Sequence, residues 1–421
     1  MTAEQHNRDN GNGQHGGHFR LRVPFRFDKS AYLLVLMLIS VNFFHFTPIA
    51  SLTGNDICLA LFLLWLVAAH FLYNPPEKFL GFTWKRYYWL LLLIGLGVLI
   101  SFIPALILQG QSLAQSFISS RTMLALLALP AIGTVQPNRK ELEKAVIAFS
   151  FILLAFACLD ALGVPLIDRE FYISETNPNR ELIDEDSFVI LLPGFQFIVV
   201  ALFFFLDRIK GGGGIYNLSG ALFFIGAVFL LQNRTILFIA ALVFAYTLLS
   251  IQGSTRRQTV LYRSISVVLL GVMIASTIPH WIRLFTETAM QLGSSDYNRI
   301  LAYNYFLFQA CPSWVYYLTG TGFISANVSS IMQDLMEAGI YNSDVGFIGF
   351  WNYYGVLPVV AVIVAIIQGF SKKTRYYVKF NAFFLLISGL TIACFDTMDK
   401  ILWLCLFLYM VYHKSHQSVI Q

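Results

Sequence analysis

The sequence predicts an all-α polytopic integral membrane protein with about 12 transmembrane helices. Of the 421 residues, 57% are hydrophobic and only 12% are charged, and the mean hydropathy is +0.66. A soluble domain typically carries about a quarter charged residues, so this composition excludes a water-soluble protein. A helix that crosses a bilayer core about 30 Å thick needs roughly 20 mostly apolar residues. The chain contains twelve runs of this kind.

Each apolar run is predicted to be one span, because backbone amides in the bilayer core must be hydrogen-bonded within the protein. Aromatic residues flank several runs, as in Tyr87-Tyr88-Trp89, where amphipathic rings suit the level of the lipid headgroups. The last two runs are shorter than the others. In chain order the predicted spans are 31–49, 57–73, 87–108, 117–135, 142–164, 188–206, 215–231, 235–251, 264–281, 345–370, 380–395 and 401–413.

The distribution of basic residues predicts the orientation of the chain. Residues 1–30 are polar and then basic, and no small-residue cleavage site follows the first apolar run, so we expect a cytoplasmic tail. With this tail inside, 21 of the 28 basic residues fall in cytoplasmic segments, as the positive-inside rule requires. Residues 31–413 then form the transmembrane domain, and 414–421 form a second cytoplasmic tail. The net charge of +5 reflects anchoring against anionic lipid and predicts no nucleic-acid partner.

The outer basic residues are mostly arginine, whose planar guanidinium group binds phosphate or carboxylate in a bidentate manner. Pairing with the acidic outer loop or snorkelling explains three of them equally well: Arg169, Arg180 and Arg283. Arg121 and Arg234 differ, because they lie at the outer ends of apolar runs, where a charge is costly. They are therefore candidates for an anion site. The seven outer basic residues are Arg121, Arg169, Arg180, Arg234, Arg283, Arg299 and Lys400.

Two outer loops are larger than simple connections require, and functional sites concentrate in such loops. The first, 165–187, is acidic, and it suits either a solvated loop or a sugar-binding or acid–base role. The second, 282–344, alternates aromatic and polar residues, so we expect it to lie along the membrane surface. Its aromatic residues Tyr303 and Trp314 are candidates for contacting a glycan, although packing explains them equally well.

The sequence contains no Walker motif, Rossmann glycine pattern, His/Glu metal pair or nucleophile elbow. The cysteine spacing also predicts neither a metal site nor a disulfide framework, so we expect no metal and no cofactor. The outer arginines and carboxylates are the smallest set of side chains that could transfer a group from a pyrophosphate. Cations would hold the leaving group, and a carboxylate would take the proton from an attacking hydroxyl. The same residues also fit an anion transporter.

Four segments resemble the O-antigen ligase and polymerase (Wzy-type) superfamily. They are Asn233-Arg234-Thr235 opening an apolar helix, Arg299 in the large loop, Gly320-Thr321-Gly322, and Ser343-Asp344-Val345-Gly346-Phe347-Ile348-Gly349 followed by Tyr354-Gly355. The resemblance covers roughly residues 218–367, and it implies that Arg234 and Arg299 hold a lipid pyrophosphate. Arg121 lies outside this range and is a further candidate because of its position at the outer end of an apolar run. Ligases usually place a His-Asn pair eleven residues before a glycine. Here Asp344 occupies that spacing before Gly355 and the loop 282–344 contains no histidine, which favours a polymerase over a ligase.

The resemblance implies an inverting glycosyl transfer at the outer face of a bacterial inner membrane, with Asp344 as the general base or acceptor-orienting group. A plain helix N-cap is the alternative role for Asp344. The implied substrate is a polyprenyl-pyrophosphate-linked oligosaccharide, and the implied partners are a flippase and a chain-length regulator. Capsule, exopolysaccharide and O-antigen all remain open as the product. The alternatives in function are ligase-type transfer and a multi-pass transporter or flippase, although a transporter is expected to show repeated halves, and no internal repeat is found.

Overall fold

The computed structural model describes most of the predicted transmembrane domain. The described residues are 27–45, 52–73, 85, 87–162, 164, 193–212, 215–230, 234–251, 298–324, 345–391 and 395–413, with isolated positions between 256 and 282 and between 334 and 340. These residues form helices joined by turns, with no β-strand among them. The all-helical part of the prediction is therefore confirmed.

Fifteen helices organise the described residues, and they are numbered here in chain order. They are α1 Lys29–Ser40, α2 Leu52–Tyr73, α3 Tyr88–Gln109, α4 Leu113–Ser119, α5 Ala128–Val135, α6 Arg139–Ala161, α7 Phe195–Lys210, α8 Ile215–Leu230, α9 Arg234–Leu249, α10 Asn298–Asn304, α11 Trp314–Thr319, α12 Gly346–Tyr354, α13 Val356–Gly369, α14 Tyr376–Thr391 and α15 Met398–Tyr412. A 3₁₀ segment, Arg121–Leu127, joins α4 to α5, and a π-helical turn, Tyr305–Gln309, extends α10.

Within the described residues, three helices are long and apolar enough to cross a membrane. They are α2, α3 and α6, and a fourth span results if α4 is joined to the segment 121–135. Five shorter apolar helices, of 10–17 residues, accompany them. Most of the large side chains that α2 and α3 expose are hydrophobic, as at Leu64 and Phe71 of α2 and Leu99 of α3. The protein is therefore an α-helical, membrane-embedded protein, while the count of twelve spans stays a prediction.

Three predicted spans are not single straight helices. The run 31–49 forms α1 and then a left-handed turn, in which Asn42, Phe43 and Phe44 all have positive φ. The run 117–135 bends by 62° at Ser120. The run 345–370 breaks at Gly355 into α12 and α13. The sequence of these runs is mostly apolar and therefore could not predict the breaks, because each break depends on contacts with other parts of the chain.

Helices α7 and α15 form the centre of the fold. Both are buried along nearly their whole length, as expected of helices that are apolar on all faces. Helix α7 packs against α6, α8, α9 and α14, and α15 packs against α5, α13, α14 and the 3₁₀ segment. A buried carboxylate ties the two helices together. Asp399 in the first turn of α15 accepts hydrogen bonds from the Gly194 amide (3.0 Å) and the Gln196 side chain (2.8 Å) at the start of α7.

Charged side chains hold one end of the helix bundle, called here the basic end. The Arg139 guanidinium at the start of α6 lies 2.6 Å from Asp207 near the end of α7, and Asp207 also accepts from the Tyr376 amide at 3.1 Å. A second pair joins the same two helices, with Arg208 Nε 2.9 Å from Glu143. Lysine side chains donate to the last carbonyls of α5, where the helix dipole favours cations. Lys29 donates to the Gln136 carbonyl, and Lys85 donates to the Gly133 carbonyl.

Candidate functional site

The break between α12 and α13 lies at Gly355, which adopts φ 76° and ψ −170°. A β-carbon at Gly355 would overlap the carbonyl oxygen of Leu318, and one at Gly320 would overlap that of Tyr353. Glycine is therefore required at both positions, because two backbone segments approach without room for a side chain. This close approach defines the Gly355 end of the molecule, opposite the basic end.

The backbone of Thr321 and Gly322 completes the end of α12. The last carbonyls of a helix have no partner within it. Here the Thr321 amide donates to the Asn352 carbonyl (2.8 Å), and the Gly322 amide donates to the Tyr353 carbonyl (3.0 Å). The glycine-flanked segment therefore takes over the hydrogen bonds that α12 loses at its break.

The same segment inserts between helices of the bundle. Gly322 packs directly on Ser101 and Ala105 of α3, while the Gln109 side chain donates to the Thr321 carbonyl at 3.0 Å. Ser101 lies eight residues before Gln109, which corresponds to about 12 Å along the helix at 1.5 Å per residue. Residues 320–324 of the predicted outer loop 282–344 therefore pack against α3, while the position of this loop along the membrane surface stays a prediction. Backbone groups at that depth need partners within the protein, and Gln111 supplies another by donating to the Phe323 carbonyl at 3.1 Å.

Asn352 is the polar centre of this junction and is only 4% exposed. Its amide nitrogen donates to the Phe306 carbonyl (3.4 Å) and lies 3.3 Å from the Cys311 sulfur, while Thr321 donates to its side-chain oxygen at 3.2 Å. Burial raises the pKa of the Cys311 thiol to about 11. Since the thiolate is the reactive form, Cys311 is not an activated nucleophile at neutral pH.

The bend at Ser120 brings Arg121 to the same end. The neighbouring Ser120 hydroxyl lies beside the phenol of Tyr354, the last residue of α12. Arg121 Nε lies 2.8 Å from Asp56 Oδ1, and its Nη1 donates to the Ile118 carbonyl at 2.8 Å. Its Nη2 makes no hydrogen bond with a described residue. The Arg121 side chain is 35% exposed, so it is available to an anion.

The other predicted site residues are described in part. Tyr303 donates from its phenol to the Leu390 carbonyl of α14, so it supports packing between α10 and α14. Trp314 is 71% exposed, as a residue that contacts a ligand or lipid would be. The backbone of Arg299 lies one helical turn before Tyr303. The backbone of Arg234 lies at the start of α9. Tyr246, near the other end of α9, contacts Lys210 at the basic end, so Arg234 lies at the end of this helix that is away from the basic end. The side chains of Arg234 and Arg299, and all of Asp344, lie outside the described residues.

The structure adds residues to the site that the sequence prediction did not include. Gln109, Gln111 and Asn352 connect the inserted segment to α3 and α12, and Asp56 pairs with Arg121. A signal existed for Asn352, because it is a polar residue within an apolar run. The ion pair between Lys400 and Asp396 (2.6 Å) is also near, since the adjacent Phe395 packs on Phe350 of α12 with ring centroids 4.9 Å apart.

The described residues of this end offer hydrogen-bond donors and one accessible guanidinium. They include no group of three or more His, Cys, Asp or Glu side chains that could hold a metal ion. Their chemistry suits binding and orienting an anionic substrate next to a fixed helix break. Family models, curated proteins and solved structures give no match to this chain.

Proposed function

We propose that this protein is a polysaccharide polymerase similar to the Wzy-type members of the O-antigen ligase and polymerase superfamily. It crosses a bacterial inner membrane twelve times with both termini in the cytoplasm, so the Gly355 end faces outward. It transfers a growing glycan from polyprenyl pyrophosphate to the next lipid-linked repeat unit, in the synthesis of exopolysaccharide, capsule or O-antigen.

One observation supports this proposal most strongly. Two segments of the resemblance, Gly320-Thr321-Gly322 and Tyr354-Gly355, lie against each other, and neither Gly320 nor Gly355 has room for a β-carbon. Two backbone hydrogen bonds, from the Thr321 and Gly322 amides to the carbonyls of the two residues directly before Tyr354, hold them together. The two segments are more than thirty residues apart in the sequence. Their close fit is expected if the motifs of the resemblance together encode one structural unit. Arg121 lies beside that unit, which supports the proposal that its guanidinium helps to hold the pyrophosphate of the donor lipid.

In the proposed reaction the acceptor hydroxyl oxygen forms a bond to the anomeric carbon of the donor sugar. The bond between that carbon and the pyrophosphate oxygen breaks, and the configuration at the carbon inverts. Arg234, Arg299 and Arg121 hold the leaving pyrophosphate, whose developing charge is stabilised more strongly in a partly dry site than in water. Asp344 accepts the proton of the hydroxyl. The reaction needs neither a metal ion nor a nucleotide.

The proposal is tested by deleting the gene and analysing lipid-linked glycans and surface polymer by gel electrophoresis and mass spectrometry. We expect single lipid-linked repeat units to accumulate and long chains to disappear. Long chains that remain on the lipid carrier would instead indicate ligase-type transfer. An unchanged distribution of glycans would contradict both enzymes and favour a transporter.

Complementation of the deletion then tests the residues. We expect Arg234→Ala and Asp344→Asn each to reduce polymer formation at least about 100-fold, the usual cost of removing a group that stabilises developing charge. Arg180→Ala in the acidic outer loop is the matched control and should restore long chains. Normal polymer length with Arg234→Ala would show that this arginine does not hold the pyrophosphate.

A further inference from the structure

Two lysines at the basic end form no ion pair with a carboxylate of the described residues. Lys210, the last residue of α7, has its Nζ atom 4.1 Å from the ring centroid of Tyr246 and 3.9 Å from that of Tyr376. Lys379 has its Nζ atom 5.3 Å from the same Tyr376 ring. The aromatic faces attract the ammonium groups but do not cancel their charge. Neither lysine forms an ion pair with a described residue, in contrast to Arg139 and Arg208 beside them.

The two carboxylates described at this end of α6 and α7 are already paired with arginines. Asp207 pairs with Arg139, and Glu143 pairs with Arg208; both acidic side chains are buried. Two ammonium groups around one ring repel each other unless an anion lies between or beside them. Of the three N–H groups on Lys210, one donates to the Tyr246 hydroxyl (3.0 Å), which leaves donors for a further acceptor.

An apolar stripe leads along α9 to these charges. Phe238, Leu242 and Tyr246 follow each other at intervals of four residues, which places them on one face of the helix. Their exposed fractions are 49%, 43% and 55%. The stripe ends at Tyr246, whose ring and hydroxyl contact Lys210. The surface therefore combines a hydrocarbon-compatible strip with a cationic end.

We infer that this surface, formed by Lys210, Lys379, Tyr246, Tyr376 and the α9 stripe, is a binding site for an anionic phospholipid. The phosphate would lie at the two ammonium groups, where charge-assisted hydrogen bonds form, and an acyl chain would follow the stripe. In the orientation proposed above, this lipid belongs to the cytoplasmic leaflet. Basic pockets between helices at that membrane face suit anionic headgroups. The site is separate from the Gly355 end and does not depend on the glycosyl transfer.

The experiment measures phosphatidylglycerol binding to the purified full-length protein by native mass spectrometry, with phosphatidylcholine as the neutral comparison. We expect preferential retention of phosphatidylglycerol. The double variant Lys210→Gln/Lys379→Gln should bind it roughly 30-fold more weakly, since each basic residue near a lipid surface contributes about 1 kcal/mol. Equal binding of the two lipids by the unaltered protein would overturn the inference.

The matched control is Lys140→Gln/Lys144→Gln, which removes the same charge from the exposed start of α6 at the same end. We expect it to change phosphatidylglycerol binding less than threefold or so, because exposed charges are screened. An equal loss in both double variants would show general electrostatic attraction and overturn the site. Thermal unfolding of each variant in neutral detergent establishes that it is folded.

Two further probes separate a lipid from other anions. Phosphatidylglycerol with six-carbon chains should bind at least about tenfold more weakly than the long-chain lipid, because each buried methylene group contributes about 0.8 kcal/mol. Inorganic phosphate at equal concentration should not displace the long-chain lipid. Displacement by phosphate, or equal binding of short and long chains, would show that the site takes a free anion or a soluble acidic partner rather than a phospholipid.

Discussion

The two ends of the helix bundle are held together by different chemistry. At the basic end, charged side chains pair across α6 and α7, with Arg139 on Asp207 and Arg208 on Glu143. At the Gly355 end, neutral hydrogen bonds and glycine contacts join the inserted segment to α12. The basic end therefore pairs its arginines with carboxylates that are only 8% and 4% exposed, whereas Arg121 at the other end pairs with a carboxylate that is 58% exposed. This difference separates stability from function in a way that substitutions can test.

The largest effect on stability is expected at the basic end. Asp207→Ala leaves Arg139 without its carboxylate in a site where the acidic side chain is only 8% exposed. Breaking a buried ion pair from one side costs about 3–5 kcal/mol. The free energy of unfolding in mixed micelles measures this loss. Lys144→Ala is the control, because the side chains of Asp28 and Lys144 are 52% and 71% exposed and such pairs contribute less than about 1 kcal/mol. Similar losses in both variants would contradict the role given to the buried pair.

The next effect is expected at the helix break. Gly355→Ala forces an alanine into a backbone conformation that only glycine adopts readily, which costs about 1–3 kcal/mol, and places its β-carbon on the Leu318 carbonyl. We expect a total loss of about 3 kcal/mol in the same unfolding measurement. Gly226→Ala is the matched control in α8, where no atom lies within 4 Å of the added carbon. It should be neutral or slightly stabilising, because alanine favours helices by about 1 kcal/mol.

A smaller loss is expected when the hydrogen bonds of the junction are removed. Asn352→Leu leaves the Thr321 hydroxyl and the Phe306 carbonyl without their side-chain partner, which costs about 2 kcal/mol. A double-mutant cycle with Thr321→Val should give a coupling of about 1 kcal/mol. Thr319→Val is the control, since that hydroxyl bonds within its own exposed helix. Additive effects of Asn352→Leu and Thr321→Val would show that the two side chains do not act together.

The difference between the two ends also explains what the sequence could and could not predict. Helices α2, α3 and α6 follow directly from the length of their apolar runs, because hydropathy is a local property. The break at Gly355 follows from residues 320–322, and the bond between Arg139 and Asp207 joins positions far apart in the chain. Such long-range contacts are absent from any local pattern. The resemblance identified Gly320 and Gly355, but only the structure shows that each glycine makes room for the other segment.

The smallest effect on stability is expected where the effect on function should be largest. Arg121→Gln breaks an ion pair with Asp56 whose side chains are 35% and 58% exposed, so we expect less than about 1 kcal/mol of destabilisation. Polymer formation by the complemented deletion strain should nevertheless fall at least about 100-fold, because a pyrophosphate would lose a charged donor. Asp56→Asn breaks the same pair but keeps the arginine, and it should therefore retain long polymer. If Asp56→Asn loses polymer as completely as Arg121→Gln, the ion pair itself is what matters, and Arg121 positions the bend at Ser120 rather than holding the substrate.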